Sequence, residues 1–362
     1  MNNSAEKIPV FFHTSDEFCP YMCVAIASIL YNTKSFIDFY IIETGVSNFN
    51  KKLIASLKEK FSNFNINWIS FEYNNIFKRE YFENLNGNDK GKPWPGIHAF
   101  CTPFMPLLVD TSIDKLIYLD SDIILLDDIK LFYEHDITDY YLGAIPDVVV
   151  PLINTSKISA MNSYINKHDF GIYFNAGVLL LNAKKFREEN IIDKYFQIAQ
   201  TETVSVCDQD ILNRLFQNSK YKKLDQRFNV IFQPSQKLLD EKGFNINKEY
   251  FATAQQNAII RHFANNKPWF STTENWENSP LSNFKDWWFF AQMTPFYDGL
   301  TKELMFKLHQ NSNYIPYSAY IFIILKYWKY AILSMLTTGK KKYRYNSKKE
   351  YWYQKKSICK KL

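Results

Sequence analysis

Short apolar runs alternate with amphipathic stretches over the first 70 residues of the chain. Residues 8–13, 39–42 and 65–69 are compact apolar runs of the kind that form buried strands. Residues 21–31 and 50–61 lie between them and repeat apolar side chains at helical spacing. Strand, helix, strand, helix, strand is the order of parallel βαβ units. The pattern therefore predicts a Rossmann-like α/β fold at the start of the chain.

The strand pattern continues beyond this first part. Residues 116–119 are apolar and end abruptly at Asp120 and Asp122, after which residues 123–126 are apolar again. Acidic residues at the carboxyl end of a parallel strand lie where α/β sheets bind ligands. We also expect strands at residues 141–145, 177–181 and 258–262, and helices at residues 183–200 and 208–216. Because no internal repeat or Gly/Ser linker interrupts this part of the sequence, we expect one domain over residues 1–270.

The chain changes character after Trp269. A cluster of Trp and Phe residues predicts a helical cap over residues 271–312. Residues 314–336 are mostly apolar and long enough to span a bilayer. Lys326 and Lys329 lie near the centre of this stretch, where each would cost roughly 2.5–3.5 kcal/mol in hydrocarbon. The mixture of Tyr, Trp and Lys favours a helix at a membrane interface. A spanning helix and a soluble packing helix are the alternatives.

The net charge of +6 is unevenly distributed. Residues 313–362 contain twelve Lys or Arg and one acidic residue, whereas the rest of the chain carries 31 basic and 36 acidic residues. A basic segment is attracted to anionic lipid headgroups by about 1 kcal/mol per basic residue close to the surface. We therefore expect residues 313–362 to be a basic aromatic tail that binds an anionic membrane surface. A generic basic arm for nucleic acid is less favoured, because aromatic and apolar residues precede the charge.

Cysteine usage and the amino terminus bear on location. The five cysteines are scattered and form no C-x-x-C pair suited to zinc or redox chemistry. Met1 leads to Ile8 without the charged start and apolar stretch of a secretory signal. The sequence thus predicts a protein of the reducing cytoplasm, held at the inner face of the cytoplasmic membrane by its tail.

The acidic pair that follows residues 116–119 is the strongest chemical feature. Asp120 and Asp122 are flanked by apolar strand residues and would be costly to bury unless a cation compensates them. Carboxylate oxygens suit Mn²⁺ or Mg²⁺, and such an ion stabilises the charge of a departing diphosphate. An isolated D-x-D motif is more often a turn in which the acids cap the backbone, so the interpretation needs support from other residues.

Further motifs occur in order around this pair. They are residues 18–25, Phe-Asn-Ala-Gly-Val-Leu-Leu-Leu-Asn at 174–182, Asp-Gln-Asp-Ile-Leu-Asn at 208–213, and His-Phe-Ala-Asn-Asn-Lys-Pro-Trp at 262–269. Together the five motifs resemble those of glycosyltransferase family 8, which includes bacterial lipooligosaccharide galactosyl- and glucosyltransferases and glycogenin. The resemblance covers about residues 8–270. It implies a GT-A fold, a sheet that binds a nucleotide-diphospho-sugar, and a retaining, metal-dependent reaction with a UDP-hexose donor.

The resemblance also implies roles for individual residues. The metal ligands for Mn²⁺ or Mg²⁺ would be Asp120, Asp122 and His262. The donor-binding residues would be Asp16 and Phe18 at the nucleoside, Lys267 at the diphosphate, and Ser121, Asn175 and Ala176. The catalytic residues would be Asp147 and Asp208 at the donor-sugar hydroxyls and Gln209 on the sugar face opposite the leaving group.

Retention of configuration leaves two routes open. In front-face attack the leaving diphosphate takes the acceptor proton, while Gln209 stabilises an oxocarbenium-like transition state. A double displacement needs a protein nucleophile, such as Asp208 or Asp210, because a side-chain amide is a poor one. We favour the front-face route.

The chain departs from the family pattern at three places. Only residues 263–266 separate His262 from Lys267, and none of them is glycine, whereas the family usually has a glycine and one residue more between the histidine and the lysine. Residues 100–106 contain no arginine, which the family commonly has before the strand that leads to the metal pair. Ser15 stands where an acidic residue is frequent.

The sequence thus predicts a UDP-sugar-dependent hexosyltransferase that moves galactose or glucose to a glycan hydroxyl. The expected acceptor is a lipid-linked oligosaccharide of the lipopolysaccharide or lipooligosaccharide core. One alternative is a catalytically weak, membrane-associated binding or scaffold protein on the same fold. Another is a sugar nucleotidyltransferase, which would need a glycine-rich, basic phosphate loop after the first strand. Residues 13–18 have neither feature.

Overall fold

The computed structural model describes most of the chain. The described residues are 7–72, 74–82, 100–147, 173–202, 207–216, 220–231, 236–241, 246–264, 267–269, 281–311, 317–338, 341–342, 345–346 and 348–349. They fall into two compact units, one up to residue 304 and one from residue 305 onward. The division at residues 270 and 312 stays a prediction, and Trp276 of the predicted cap lies outside the described residues.

Seven strands form one mixed sheet in the order β3-β2-β1-β4-β7-β6-β8, and β5 pairs with β9 in a second, small sheet. The strands are β1 Lys7–Ser15, β2 Phe36–Thr44, β3 Phe64–Ser70, β4 Lys115–Leu119, β5 Ile123–Leu125, β6 Leu142–Pro146, β7 Phe174–Asn182, β8 Tyr221–Lys223 and β9 Ile260–His262. β1 to β4 pair in parallel, whereas β7 runs antiparallel to both β4 and β6. The apolar runs predicted every strand in this set except β8, whose sequence Tyr-Lys-Lys is not apolar. They did not predict the direction of β7, because a strand buried on both faces has the same pattern either way.

Helices of the first unit pack on both faces of the large sheet. The helices among the described residues of the two units are α1 Cys19–Asn32, α2 Asn48–Ala55, α3 Arg79–Phe82, α4 Lys130–Tyr133, α5 Ala183–Glu188, α6 Ile191–Thr201, α7 Cys207–Phe216, α8 Gln236–Glu241, α9 Lys248–Gln256, α10 Leu281–Ala291, α11 Tyr297–Asn311 and α12 Tyr317–Met335. The single helix predicted over residues 183–200 is two helices, because Asn190 adopts a left-handed conformation with φ of 49° between them. Such a residue cannot continue a right-handed helix.

The hydrophobic core lies in two layers, one on each face of the sheet. Val10 and Phe12 of β1 belong to the layer that contains α1, whereas Phe11 belongs to the layer that contains α6 and α7. This period of two is what a strand covered on both faces requires. The arrangement leaves the carboxyl ends of β1, β2 and β4 together at one edge, where the acidic turn after β4 lies.

Residues 317–335 of the helix predicted over residues 314–336 form α12, and residues 314–316 lie outside the described residues. Leu325, Trp328, Ile332 and Met335 are each more than half exposed. Spacings of three, four and three residues place these four side chains on one face of the helix. None of the helices among the described residues is both long enough and apolar enough to cross a bilayer.

Candidate functional site

Asp120 and Asp122 lie in the turn between β4 and β5. The Asp120 N–H donates to the carbonyl oxygen of Gly177 on β7 at 2.8 Å, which fixes the start of this turn. β5 then pairs antiparallel with β9, and Ile123 lies opposite His262 in that pairing. The small sheet thus brings a histidine from late in the chain against the two carboxylates.

The three side chains converge at distances suited to a shared cation. His262 Nε2 lies 3.2 Å from Asp122 Oδ1 and 3.6 Å from Asp120 Oδ2. One donor atom from each residue lies within 4.8 Å of the other two. Neighbouring ligands of an octahedral cation bound at about 2.1 Å are about 3 Å apart. Two carboxylate oxygens and one imidazole nitrogen therefore fit a divalent ion such as Mn²⁺ or Mg²⁺.

The electrostatics of the cluster also favour a cation. Burial and the adjacent Asp122 raise the pKa of Asp120. Burial opposes ionisation of Asp122, but His262 and Lys267 outweigh it and lower the pKa of that carboxyl overall. Burial likewise opposes the charged form of His262, but the two aspartates outweigh it and raise its pKa. The negative charge of the two carboxylates thus already attracts His262 and Lys267, and a metal ion would compensate that charge further.

Gly177 forms a wall of this cluster. A Cβ atom at this position would lie 2.4 Å from Asp120 Oδ2 and 2.6 Å from His262 Cε1. Both distances are shorter than real Cβ contacts. Glycine is therefore needed here for the close approach of β7 to two of the three candidate ligands.

Lys267 and a group of aromatic rings border the cluster. Lys267 forms an ion pair with Asp122 Oδ2. Trp269 is buried and stacks on Tyr21 of α1, with ring centroids 4.0 Å apart. Phe18 packs edge-on against Tyr21 and keeps 48% of its surface exposed. The segment that carries Lys267 is therefore held against the start of α1, where the Phe18 ring is accessible to a planar ligand.

Asp16 and Ser121 make contacts that hold the backbone near this edge. Asp16 Oδ1 accepts hydrogen bonds from the Ser47 N–H at 2.8 Å and from Asn50 Nδ2 at 2.7 Å. The Ser47 N–H bond is the main cause of the lowered pKa of Asp16. Ser121 Oγ donates to the carbonyl oxygen of His13 at 3.0 Å. Asp16 thus connects the end of β1 to the start of α2, and Ser121 connects the acidic turn to β1. Their roles toward a ligand stay predictions.

A second polar cluster contains Asp147, Asn175, Ala176 and Gln209. Asn175 Nδ2 donates to Asp147 Oδ2 at 3.2 Å and to Gln209 Oε1 at 3.1 Å. Gln209 Nε2 donates to Asp147 Oδ2 at 2.9 Å, and Gln209 Oε1 accepts from the Ala176 N–H at 2.9 Å. The structure therefore brings together four predicted site residues from the end of β6, the start of β7 and the first turn of α7.

Asp208 lies beside this cluster at the start of α7. Burial, followed by the nearby charge of Asp120, raises the pKa of Asp208 to about 8. Thr102 Oγ1 lies 3.4 Å from Asp208 Oδ2. Thr102 belongs to the stretch 100–106 that lacks the arginine expected from the resemblance, so a hydroxyl stands here beside the carboxyl. In the metal-free protein these surroundings favour the neutral acid.

Asn229 and Tyr173 were not predicted from the sequence. Asn229 Oδ1 lies 3.0 Å from His262 Nδ1 and Asn229 Nδ2 donates to Asn175 Oδ1 at 2.8 Å. Tyr173 donates to Asp210 Oδ1 at 2.7 Å and accepts from Gln209 Nε2 at 3.1 Å. A polar residue within the apolar run Phe-Asn-Val-Ile at 228–231 was the available signal for Asn229.

Comparison with known proteins gives a consistent result. Residues 9–273 match the family model described as Glycosyl transferase family 8. A putative glycosyltransferase of Haemophilus influenzae is 27% identical over 270 residues, which cover 73% of this chain and 74% of that protein. A lipopolysaccharide 1,2-glucosyltransferase of Escherichia coli is 23% identical over 270 residues, which cover 72% of this chain and 71% of that protein.

Solved structures share the fold. The bifunctional glycosyltransferase WbbM matches with a TM-score of 0.65 at 19% identity, over 84% of this chain and 53% of that one. The galactosyltransferase LgtC, solved with donor and acceptor sugar analogues, matches with a TM-score of 0.58 at 22% identity, over 80% of this chain and 96% of that one. The predicted GT-A fold, a parallel-dominated α/β sheet, is thereby confirmed.

Proposed function

The chain belongs to glycosyl transferase family 8, and from that premise we propose that it transfers a hexose, galactose or glucose, from a UDP-sugar to a glycan hydroxyl with retention of configuration. The predicted family is confirmed, and glycosyl transfer is the activity of that family. The donor, the hexose, the metal and the acceptor are the proposed parts, and each is supported by a different group of residues.

The convergence of Asp120, Asp122 and His262 carries the proposal. Their donor atoms lie within 4.8 Å of one another, and Gly177 leaves the space beside them free of a side chain. These three residues would hold Mn²⁺ or Mg²⁺ through two carboxylate oxygens and His262 Nε2. The bound ion would act as a Lewis acid for the negative charge that develops on a departing diphosphate.

The donor nucleotide would lie between this cluster and the start of α1. Lys267, which reaches Asp122, would bind a diphosphate oxygen as a point charge. The accessible ring of Phe18 would cover the face of uracil, with Asp16 and Ser121 nearby. Stacking and a fixed positive charge suit a nucleoside diphosphate.

The donor sugar would lie against the second polar cluster. Asp147 and Asp208 would bind its hydroxyls, beside Asn175 and Ala176. The Gln209 amide already donates to Asp147 and Tyr173 and accepts from Asn175 and the Ala176 N–H. An amide held in this way would present a fixed dipole to the sugar and would make a poor nucleophile.

These contacts support front-face attack. The acceptor hydroxyl oxygen would bond to the anomeric carbon on the face from which the diphosphate leaves. The bond from that carbon to the diphosphate oxygen would break with its electron pair staying on the diphosphate, which would take the hydroxyl proton. Lys267 would stabilise the departing charge. Asp210 is 1% exposed and accepts a hydrogen bond from Tyr173, which argues against it as a nucleophile in a double displacement.

The proposed acceptor is a lipid-linked oligosaccharide of the lipopolysaccharide or lipooligosaccharide core. The Escherichia coli relatives named lipopolysaccharide 1,2-glucosyltransferase support this class. The exposed apolar face of α12 and the basic residues of 313–362 support binding to the anionic inner face of the cytoplasmic membrane. An enzyme held there would meet its acceptor at a surface rather than in solution.

The test is hydrolysis and binding of a panel of UDP-sugars by the purified full-length protein. We expect turnover of one UDP-hexose that requires Mn²⁺ or Mg²⁺, is abolished by a chelator, and is lost in Asp122→Asn. Asp127→Asn is the matched control, because Asp127 is an exposed carboxylate in the same segment and lies outside the cluster. It should retain full activity.

Two results separate the parts of the proposal. Binding of a UDP-sugar without turnover would leave donor recognition intact and point to the acceptor as the missing component. Failure of the folded protein to bind any UDP-sugar in the presence of Mn²⁺, measured by calorimetry, would contradict the proposed donor and metal site.

A further inference from the structure

Asn229 stands at the junction of the metal cluster and the sugar-side polar cluster. It follows the 3₁₀ turn Gln226–Phe228 and is 1% exposed. Its Oδ1 lies 3.0 Å from His262 Nδ1, and its Nδ2 lies 2.8 Å from Asn175 Oδ1. A buried amide of this kind needs partners at both ends, and here one partner belongs to each cluster.

Backbone N–H groups fix the direction of these hydrogen bonds. The Gly177 N–H can only donate, and it lies 3.0 Å from one side-chain atom of Asn175, so that atom is the carbonyl oxygen Oδ1. The atom of Asn229 that faces Asn175 Oδ1 must then be the donor, Nδ2. The other amide atom of Asn229 is consequently Oδ1, which can only accept. His262 Nδ1 must carry the proton in the bond between them.

A proton on Nδ1 determines which nitrogen of His262 is available to a metal. It leaves Nε2 as the ring nitrogen that can offer a lone pair. Nε2 is also the atom that faces Asp122 at 3.2 Å and Asp120 at 3.6 Å. We infer that Asn229 is a positioning residue that holds His262 in the tautomer and orientation in which Nε2 completes the metal site. This inference rests on the metal site of the proposed function.

The same strand orients the sugar-side cluster. The Ala176 N–H donates to Gln209 Oε1 at 2.9 Å, next to the Gly177 N–H that orients Asn175. Two successive N–H groups of β7 thus set the direction of hydrogen bonds on both sides of the site. Asn229 connects the oriented Asn175 amide to His262. The metal ligand and the sugar-side amides are therefore oriented by hydrogen bonds that start at the same strand.

Two variants of Asn229 separate its acceptor function from its volume. Asn229→Leu has a similar size but cannot accept from His262 Nδ1, and outer partners of metal-ligating histidines contribute about 10- to 100-fold to metal affinity. We expect Asn229→Leu to weaken Mn²⁺ binding by that factor, measured by electron paramagnetic resonance of free Mn²⁺. Asn229→Asp keeps an acceptor for Nδ1 and should bind Mn²⁺ about as tightly as the wild type.

A general loss of packing is excluded by a matched control. Asn182 is also a buried asparagine, with contacts to the Ile137 and Tyr140 carbonyl oxygens. It lies seven residues farther along β7 than Asn175, about 23 Å at about 3.3 Å per residue. Asn182→Leu should lower the unfolding temperature and leave Mn²⁺ affinity unchanged. Equal Mn²⁺ affinity of Asn229→Leu and the wild type would overturn the inference.

The tautomer can be read without any variant of Asn229. In metal-free protein with ¹⁵N-labelled histidine, at a pH high enough for the His262 ring to be neutral, the resonances of His262 are those that disappear in His262→Gln. We expect the chemical shift of a protonated nitrogen for Nδ1 and that of a non-protonated nitrogen for Nε2, and the reverse assignment would overturn the role given to Asn229. Absence of Mn²⁺ binding by the wild type would instead contradict the proposed metal site, so the two failures are distinguishable.

Discussion

Gly177 lies directly against Asp120. Its carbonyl oxygen accepts the Asp120 N–H at 2.8 Å, and a Cβ atom on Gly177 would lie 2.4 Å from Asp120 Oδ2. The antiparallel pairing of β7 with β4 produces this contact, because it carries the start of β7 past the turn that follows β4. The requirement for glycine is therefore one of space at the candidate metal site, since the left-handed backbone region is not involved.

Gly177→Ala should have a larger effect on metal binding and activity than on the stability of the fold. The added methyl group must displace Asp120 or His262, so we expect Mn²⁺ affinity and transferase activity to fall about 10- to 100-fold, as for other disturbances next to metal ligands. The free energy of unfolding should fall by about 1–3 kcal/mol, the usual cost of overpacking. Titration with Mn²⁺ and urea unfolding would measure the two effects.

Gly299→Ala is the control for this substitution. Gly299 lies in α11, and a Cβ atom there would meet nothing within 4 Å. The control should keep its Mn²⁺ affinity and gain about 0.5–1 kcal/mol of stability, because alanine is the better helix residue. If Gly177→Ala bound Mn²⁺ as tightly as this control, the proposed position of the metal would be wrong.

The residues that were foreseeable lie in local motifs. Asp120 and Asp122 stand out because two acids interrupt an apolar strand pattern, and the resemblance added His262 and Gln209. The α/β fold with a covered sheet also followed from short apolar runs that alternate with amphipathic stretches. These features depend on residues close together in sequence, and they are visible without knowledge of tertiary contacts.

Asn229 and Tyr173 were not foreseeable for the opposite reason. Each acts through a hydrogen bond to a residue more than thirty positions away, His262 in one case and Gln209 in the other. No periodic pattern reports such a contact. The break at Asn190 was also missed, because one left-handed residue interrupts a stretch whose apolar spacing remains helical on both sides.

Asp208 should make the stability of the metal-free protein depend on pH. Its native pKa of about 8 lies above the ordinary value of 3.8. Between about pH 4 and pH 8 the unfolded chain loses this proton and the native protein keeps it, so a stabilising contribution present below pH 4 is lost as pH rises. Asp208→Asn removes the ionisation and should gain stability over the wild type as pH rises through this range, by at most about 1.4 kcal/mol for each pH unit, with no gain near pH 4.

Urea unfolding in the presence of a chelator, at pH values from 4 to 8.5, tests this prediction. The difference in stability between Asp208→Asn and the wild type should grow with pH and level off above about pH 8. A difference that stays constant over this range would show that Asp208 is ionised throughout in the native protein. Adding Mn²⁺ should reduce the difference, since a cation at Asp120 favours ionisation nearby.

Lys267→Met should weaken binding of the UDP-sugar donor without weakening binding of the metal ion. Hydrogen bonds to charged groups contribute about 1.5–3 kcal/mol, so we expect the Kd for the UDP-sugar to rise about 10- to 100-fold. Because Lys267 competes for Asp122 in the metal-free protein, its removal should leave Mn²⁺ affinity equal or tighter. Lys285→Met removes an exposed lysine of α10 and serves as control. Parallel losses of Mn²⁺ and UDP-sugar binding in Lys267→Met would contradict the role of Lys267 at the diphosphate.

The apolar face of α12 should bind vesicles that contain anionic lipid. Trp328 is 54% exposed and Ile332 is 52% exposed, and burial of a large apolar side chain contributes about 1.5–3 kcal/mol. Replacing both with serine should therefore reduce flotation with anionic vesicles more than tenfold. Phe49→Ser is the control, because Phe49 is 70% exposed but lies on α2. It should leave flotation unchanged.

The basic residues of 313–362 predict a salt dependence for the same binding. Raising the ionic strength from 0.1 to 1 M shortens the Debye length from about 10 Å to about 3 Å, which screens attraction to anionic headgroups. Wild-type flotation should therefore weaken at high salt and with zwitterionic vesicles, whereas the loss in the serine double variant should persist at every salt concentration. Binding that is equal for anionic and zwitterionic vesicles would remove the electrostatic part of the proposal. Absence of binding to either would assign the exposed face of α12 to contacts other than a lipid surface.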